Sequence, residues 1–153
     1  MKFNLNQKLL VLLVSTVALF SCESSKKTSE TSPDEILKIT VEKETRGNRS
    51  LFTLTKEGTT HVTKVLHGEE NIKKQKTNVA NWKEINRLVG NLNLEQLESW
   101  VAPTQERFYD GARATIITLE TNSKIYTSQG FDEGKPPTEL LELYNYLVSL
   151  ENQ

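Results

Sequence analysis

The chain has 153 residues, 36% of them hydrophobic and 25% charged, enough for one domain built round one core. Its 19 basic and 20 acidic side chains leave a formal charge of −1, so nucleic acid is not an expected partner. The one cysteine excludes an intrachain disulfide, and the fold must rest on packing alone.

The amino terminus carries the most specific signal. Lys2 and Lys8 precede the apolar run "LLVLLVSTVALF" at 9–20, which suits a secretory signal and is short for spanning a bilayer. Residues 1–21 read as a signal peptide. The following "LFSC", with Leu19 three before Cys22 and Ser21 immediately before it, resembles the lipobox of bacterial lipoproteins. That resemblance implies cleavage between Ser21 and Cys22, a diacylglyceryl thioether on Cys22 and acylation of the new amino terminus. The competing reading is an ordinary signal peptide with an incidental cysteine. A single acyl chain binds a membrane marginally and two bind it stably, at about 0.8 kcal/mol per buried CH₂. Membrane contact is therefore expected through the lipid, and no cofactor is expected besides that covalent group.

Glu23 after the cysteine, where an aspartate would resemble an inner-membrane retention mark, points to the outer membrane or cell surface, with the periplasmic face as the other option. Residues 22–35 read as the lipidated cysteine and a flexible tether, since "ESSKKTSETSPD" has no aliphatic or aromatic side chain with which to form a core. Residues 1–22 hold two lysines and no acid, so without them 17 basic and 20 acidic side chains remain, a formal charge of −3.

Residues 36–153 form the expected globular domain. "ILKITVEKET" alternates Leu37, Ile39 and Val41 with Lys38, Thr40 and Glu42, the period of a half-buried strand. "RGNR" at 46–49 predicts a turn, "SLFTLTK" a returning strand, "KEGT" a second turn and "THVTKVLHG" a third strand. A fourth, edge strand is expected around Ile72, where lysines discourage pairing with other chains. From there the period becomes helical: Val79, Trp82, Ile85, Leu88 and Val89 fall on one stripe, Asn78 suits an N-cap and Gly90 a stop. "LEQLESW" predicts a short helix capped by Asn93, with Leu94 and Leu97 inward. "ARATIITLE" and "KIYTSQGF" predict a hairpin through "TNSK". "PPTELLELYNYLVSL" closes the chain with a helix whose first turn holds Pro136 and whose stripe is Leu140, Tyr144, Leu147 and Val148. The expected class is α+β: an antiparallel sheet of five to six strands, helices on one face, order βββ(β)ααββα.

The usual reactive motifs are missing: there is no Gly-x-Ser-x-Gly, no His-Glu-x-x-His and no phosphate loop. His61 and His67, six apart on one predicted strand, would stand about 20 Å apart at about 3.3 Å per residue, too far to share a metal. "KKQK" at 73–76 reads as a solvated turn before a site for anionic headgroups. Trp82 reads as core, and Trp100 as packing under the loop that follows it.

The one dense cluster is "VAPTQERFYDGARATIITLE". If Thr121 stands opposite Lys124, then Leu119 faces Tyr126, Ile117 faces Ser128 and Arg113 faces Asp132. "ERFYDGA" and "FDEGKPP" then meet, bringing Arg107, Phe108, Tyr109, Asp110 and Arg113 beside Asp132 and Glu133. As a structural clasp, Arg107 would pin Asp132 or Glu133, Asp110 would bond the amides ahead of Gly111, and Phe108 and Phe131 would close the core. As a site, the same residues would hold a protein or glycan partner.

The lipobox, "APTxxRFYDGA" and "GFDxGxPP" together resemble a group of small lipoproteins of Bacteroidota, of flavobacterial type. The likeness is specific at those motifs, implies a surface or periplasmic lipoprotein, and brings no catalytic residues. Lys135 departs from the pattern, where asparagine would cap the closing helix better. The expected function is an envelope-anchored, non-enzymatic binding module. The alternative is an inhibitor or immunity protein directed at a secreted hydrolase. An enzyme would have to use carboxylates near Asp110 and Asp132, and the neighbouring arginines oppose that by holding carboxylates ionised.

Overall fold

The computed structural model describes residues 35–153. The expected signal peptide, Cys22 and almost all of the expected tether lie outside the described residues. A single antiparallel sheet holds seven strands: β1 (Ile36–Thr45), β2 (Asn48–Thr55), β3 (Gly58–Val65), β4 (Glu70–Lys76), β5 (Ala114–Thr121), β6 (Ile125–Thr127) and β7 (Phe131–Asp132). The spatial order is β4-β3-β2-β1-β5-β6, and β7 also pairs with β5. Two α-helices, α1 (Val79–Gly90) and α2 (Leu141–Glu151), pack on one face, with 3₁₀ segments at Leu94–Ser99, Glu106–Tyr109 and Thr138–Leu140. The fold is α+β in the expected order, with the fourth strand formed and the last hairpin split into β5, β6 and β7.

Alternation builds the core face. Ile39 and Val41 of β1, Phe52 and Leu54 of β2, and Ile117 and Leu119 of β5 are buried together against Ile85, Leu88 and Val89 of α1 and Leu143, Tyr144 and Leu147 of α2. Each aliphatic side chain so buried contributes about 1.5–3 kcal/mol. Leu37 does not join them and is 46% exposed. The ladder with β5 shifts register between Ile36 and Lys38, so Ile36 takes the inward place that strict alternation gave to Leu37. At the far end of the same face, alternation carries Lys43 inward after Ile39 and Val41, and it is buried.

The turns also correct the sequence reading. Gly47 has φ +78°, and a Cβ there would stand 2.8 Å from the Leu66 Cβ, so the β1–β2 turn needs glycine twice over. His67 has φ +61° in the turn after β3, which ends at Val65; it does not share a strand with His61. "KKQK" is strand, not turn: it forms the end of β4, all of whose residues are exposed.

Asn78 caps α1, its Oδ1 accepting from the Ala80 amide at 2.8 Å, but Val79 is 84% exposed and does not join the buried stripe. Gly90 ends the helix without a left-handed residue, and Asn91 follows in right-handed geometry. "LEQLES" is a 3₁₀ turn and the Asn93 side chain makes no cap bond, although Leu97 is buried as expected. Pro136 and Pro137 are buried ahead of the closing helix, outside its first turn. The buried stripe of α2 is Leu143, Tyr144, Leu147 and Leu150, and Val148 is only partly covered at its margin. Trp82 and Trp100 are both partly buried against the core.

Candidate functional site

The loops "ERFYDGA" and "FDEGKPP" meet, in a register shifted from the expected one. Leu119 pairs with Tyr126, and the Ser128 amide donates to the Ile117 carbonyl, as a tight turn at 121–124 requires. One extra residue then enters at Gln129–Gly130, so Ala114 pairs with Asp132 and Thr115 with Phe131. Arg113 is therefore not opposite Asp132. It forks onto Glu133, with Nε 2.5 Å from Oε2 and Nη2 on Oε1, and the Glu133 amide donates to its carbonyl.

Asp132, which has no solvent exposure, is the centre of the clasp. Its Oδ2 accepts from the Thr104 hydroxyl at 2.5 Å and the Glu106 amide at 2.7 Å. Its Oδ1 accepts from the Arg107 amide at 2.9 Å and from Arg107 Nη1 at 3.2 Å. These amides open the 3₁₀ turn Glu106–Tyr109, and such amides have no partner within a helical turn. A carboxylate from β7 thus does the work of an N-cap for a turn on another segment. Burial alone would raise the Asp132 pKa. The Thr104 hydroxyl, the Arg107 and Glu106 amides and the Arg107 guanidinium more than reverse this, holding its carboxyl well below the usual carboxylate range.

Lys135, where asparagine was expected to cap better, does not cap the closing helix; Pro137 stands at that position. Its ammonium instead pairs with Glu106 and ties the two loops at the surface. Asp110 closes the 3₁₀ turn with φ +60°, so the left-handed residue is Asp110 and not Gly111. Its carboxylate does not bond the amides ahead of Gly111; it faces the exposed Arg46 at 3.6 Å. Phe131 alone closes the core, edge-on to Tyr144 at 5.4 Å. Phe108 points outward, 71% exposed, with the Arg107 guanidinium 4.3 Å above its ring, and Tyr109 beside it is also 71% exposed.

Sequence reasoning missed a second polar cluster beneath the same end of the sheet. Buried Lys43 pairs with Glu151 and lies 3.5 Å from Glu133, linking it to Arg113. Burial alone would raise the Glu133 pKa, and Arg113 with Lys43 more than offsets this and lowers it from its ordinary value. Glu151 also meets the Ser50 hydroxyl at 3.4 Å and His61 Nε2 at 3.3 Å, and Ser50 Oγ lies 2.8 Å from the same nitrogen. Lys43, at the period-two position after Ile39 and Val41, and Glu151, four residues after Leu147, were the available signals. Ser, His and Glu together suggest a nucleophilic triad, and the geometry opposes one. The acid and the hydroxyl converge on one ring nitrogen, whereas a triad needs them on opposite nitrogens, and Ser50 is buried.

Among the described residues, no group of three or more His, Cys, Asp or Glu is arranged to hold a metal ion. No helix among them is long and apolar enough to cross a membrane. No family model and no curated protein matches this chain. The geometry is therefore the ground for a functional reading. Asp132, saturated and ionised, has no free lone-pair direction or proton to offer a reaction. The outward feature of the clasp is the aromatic pair it holds up.

Proposed function

We propose that this chain is a lipid-anchored lipoprotein of the cell envelope whose domain is a non-enzymatic module that binds a protein or glycan partner at Phe108 and Tyr109. One observation carries the reading: two adjacent aromatics, each 71% exposed, stand on a turn fixed by four hydrogen bonds to a buried carboxylate. Aromatic side chains offer large contact area at little cost in conformational entropy, and a turn already ordered pays less on binding. The "LFSC" sequence after an apolar run supports the anchor, and the polar residues 23–34 support a stalk that presents the domain beyond an outer-membrane or cell-surface attachment.

The second reading, an inhibitor or immunity protein against a secreted hydrolase, draws on the same projecting pair, which a catalytic cleft could receive. Arg107 would take no part in such a plug, because its side chain is 14% exposed and engaged with Asp132. The test is capture from the organism's own envelope fraction with the full chain and with Phe108→Ala/Tyr109→Ala. Loss of a captured partner with an unchanged melting midpoint supports the binding surface. Undiminished capture by the variant overturns it, and a captured hydrolase that loses activity selects the second reading.

A further inference from the structure

The two edges of the sheet are guarded unequally. One consists of β6 and β7, three and two residues long, interrupted by the extra residue at Gln129–Gly130 and bonded to the 104–107 turn through Asp132. Short, broken edges accept another strand poorly. The other edge is β4, seven residues long, paired residue for residue with β3 from Gly58↔Lys76 to Lys64↔Glu70 and free of proline. Among the described residues, only β3 pairs with it.

One bond fixes the direction of its backbone groups. The Thr77 amide donates to the Glu57 carbonyl at 3.3 Å, so Thr77 and, by antiparallel alternation, Gln75, Lys73 and Asn71 turn their amides and carbonyls toward β3. Glu70, Ile72, Lys74 and Lys76 therefore turn theirs outward, a ladder with no partner among the described residues. Ile72, 54% exposed, adds an apolar foothold on the open face.

Charge selects the occupant. Lys73, Lys74 and Lys76 are exposed and unpaired among the described residues. Lys73 shares the helix side with His61 and Phe52, and Lys74 shares the open side with Thr60 and Thr53, so an added strand would meet ammonium groups on both faces. On the helix side a groove of about 230 Å³ runs beside Lys73 and Gln75, lined by Phe52 and His61 and bounded by the last turn of α2. It can receive the longer side chains of a neighbouring strand. The lysines discourage pairing with neutral or basic strands, a second copy included, since antiparallel pairing about Lys73 would set lysine against lysine at its centre, whereas an acidic strand meets opposite charge. From the free ladder, its length and its charge, we infer that β4 is a strand-addition site for an extended acidic segment of a partner protein. This site is separate from the aromatic pair, which lies on the β5 side of the sheet.

The test uses the full chain and a short blocked peptide of alternating glutamate and valine, with the lysine-for-glutamate peptide and a centrally proline-interrupted version as controls. At neutral pH and low salt, the acidic peptide slows amide exchange about tenfold or more at Ile72, Lys74 and Lys76, while Lys73 and Gln75, already bonded to β3, change little. Added salt weakens the effect. Ile72→Pro removes an outward donor and no ladder bond, so it loses the response. The triple variant Lys73→Glu/Lys74→Glu/Lys76→Glu transfers the preference to the lysine peptide and keeps the test decisive should Ile72→Pro unfold. Equal response to both peptides, or slowing elsewhere only, overturns the inference. Self-association abolished by the charge reversal also overturns it and assigns the edge to a second copy.

Discussion

Asp132 caps a helical turn that starts at Glu106, 26 residues earlier, accepting that amide at 2.7 Å. The same carboxylate holds Arg107 through both its amide and its guanidinium, so one side chain fixes where the chain turns and which of its neighbours face out. Arg107 lies against β7, and Phe108 and Tyr109 are left in solvent.

The clasp makes stability pH-dependent with a defined sign. Asp132 and Glu133 both have pKa values below their ordinary ones in the folded state. Their contribution is therefore fully present above the unfolded-state values, about 3.9 for aspartate and 4.3 for glutamate, and is lost as pH falls through the lower folded-state values. Denaturant titrations across the acid range should show stability dropping below about pH 4. Asp132→Asn should be less stable at neutral pH and show a shallower acid loss; an acid limb as steep as wild type would mean that other carboxylates set it.

Asp110, not Gly111, carries the left-handed backbone of this loop. A β-branched side chain resists that geometry, so Asp110→Val should lose about 1–2 kcal/mol, while Asp110→Gly should be close to neutral. Gly111→Ala is a separate case, since its Cβ would stand 3.3 Å from the Glu106 Cβ and carbonyl oxygen and press on the turn from within. Chemical denaturation of the three variants ranks these effects. Equal losses for Asp110→Val and Asp110→Gly would place the strain elsewhere.

Lys43 and Glu151 are a buried pair, with side chains 5% and 7% exposed. Removing one partner of such a pair strands the other charge, so Lys43→Met should destabilise by about 3–5 kcal/mol. Lys43→Met/Glu151→Leu should recover most of that loss, because no charge is then left uncompensated. A double-mutant cycle measures the coupling. Additive losses would show that the two residues act through packing with other neighbours.

The anchor proposed from "LFSC" rests on Cys22. Cys22→Ser should abolish metabolic labelling by palmitate and leave an uncleaved or soluble form. Retained label together with membrane fractionation would remove the lipoprotein reading without touching the aromatic surface.

Strand alternation, the turns at Gly47 and Thr121–Lys124, and the inward places of Ile85, Leu88 and Val89 on one helix and of Tyr144 and Leu147 on the other were legible because each is set by neighbours within one or two turns of chain. The meeting of the 104–110 and 130–135 loops was legible too, since a tight hairpin forces it. The pairing inside that meeting was not. An extra residue at Gln129–Gly130 leaves the composition of the strand unchanged yet moves Asp132 from Arg113 to Ala114 and gives Glu133 to Arg113. Phe108 looked like core because it is large and apolar; its direction is set by the turn that Asp132 organises from a distant strand. Lys43 and Glu151 lie 108 residues apart and become partners only when β1 and the end of α2 are packed together. The sequence by itself determined the order of strands and helices and the lysine-rich character of the segment round Ile72, because those follow from local periodicity and side-chain chemistry. Only the tertiary structure decided which carboxylate meets which donor and which aromatics remain in water, because burial and register are properties of segments brought together from far apart in the chain.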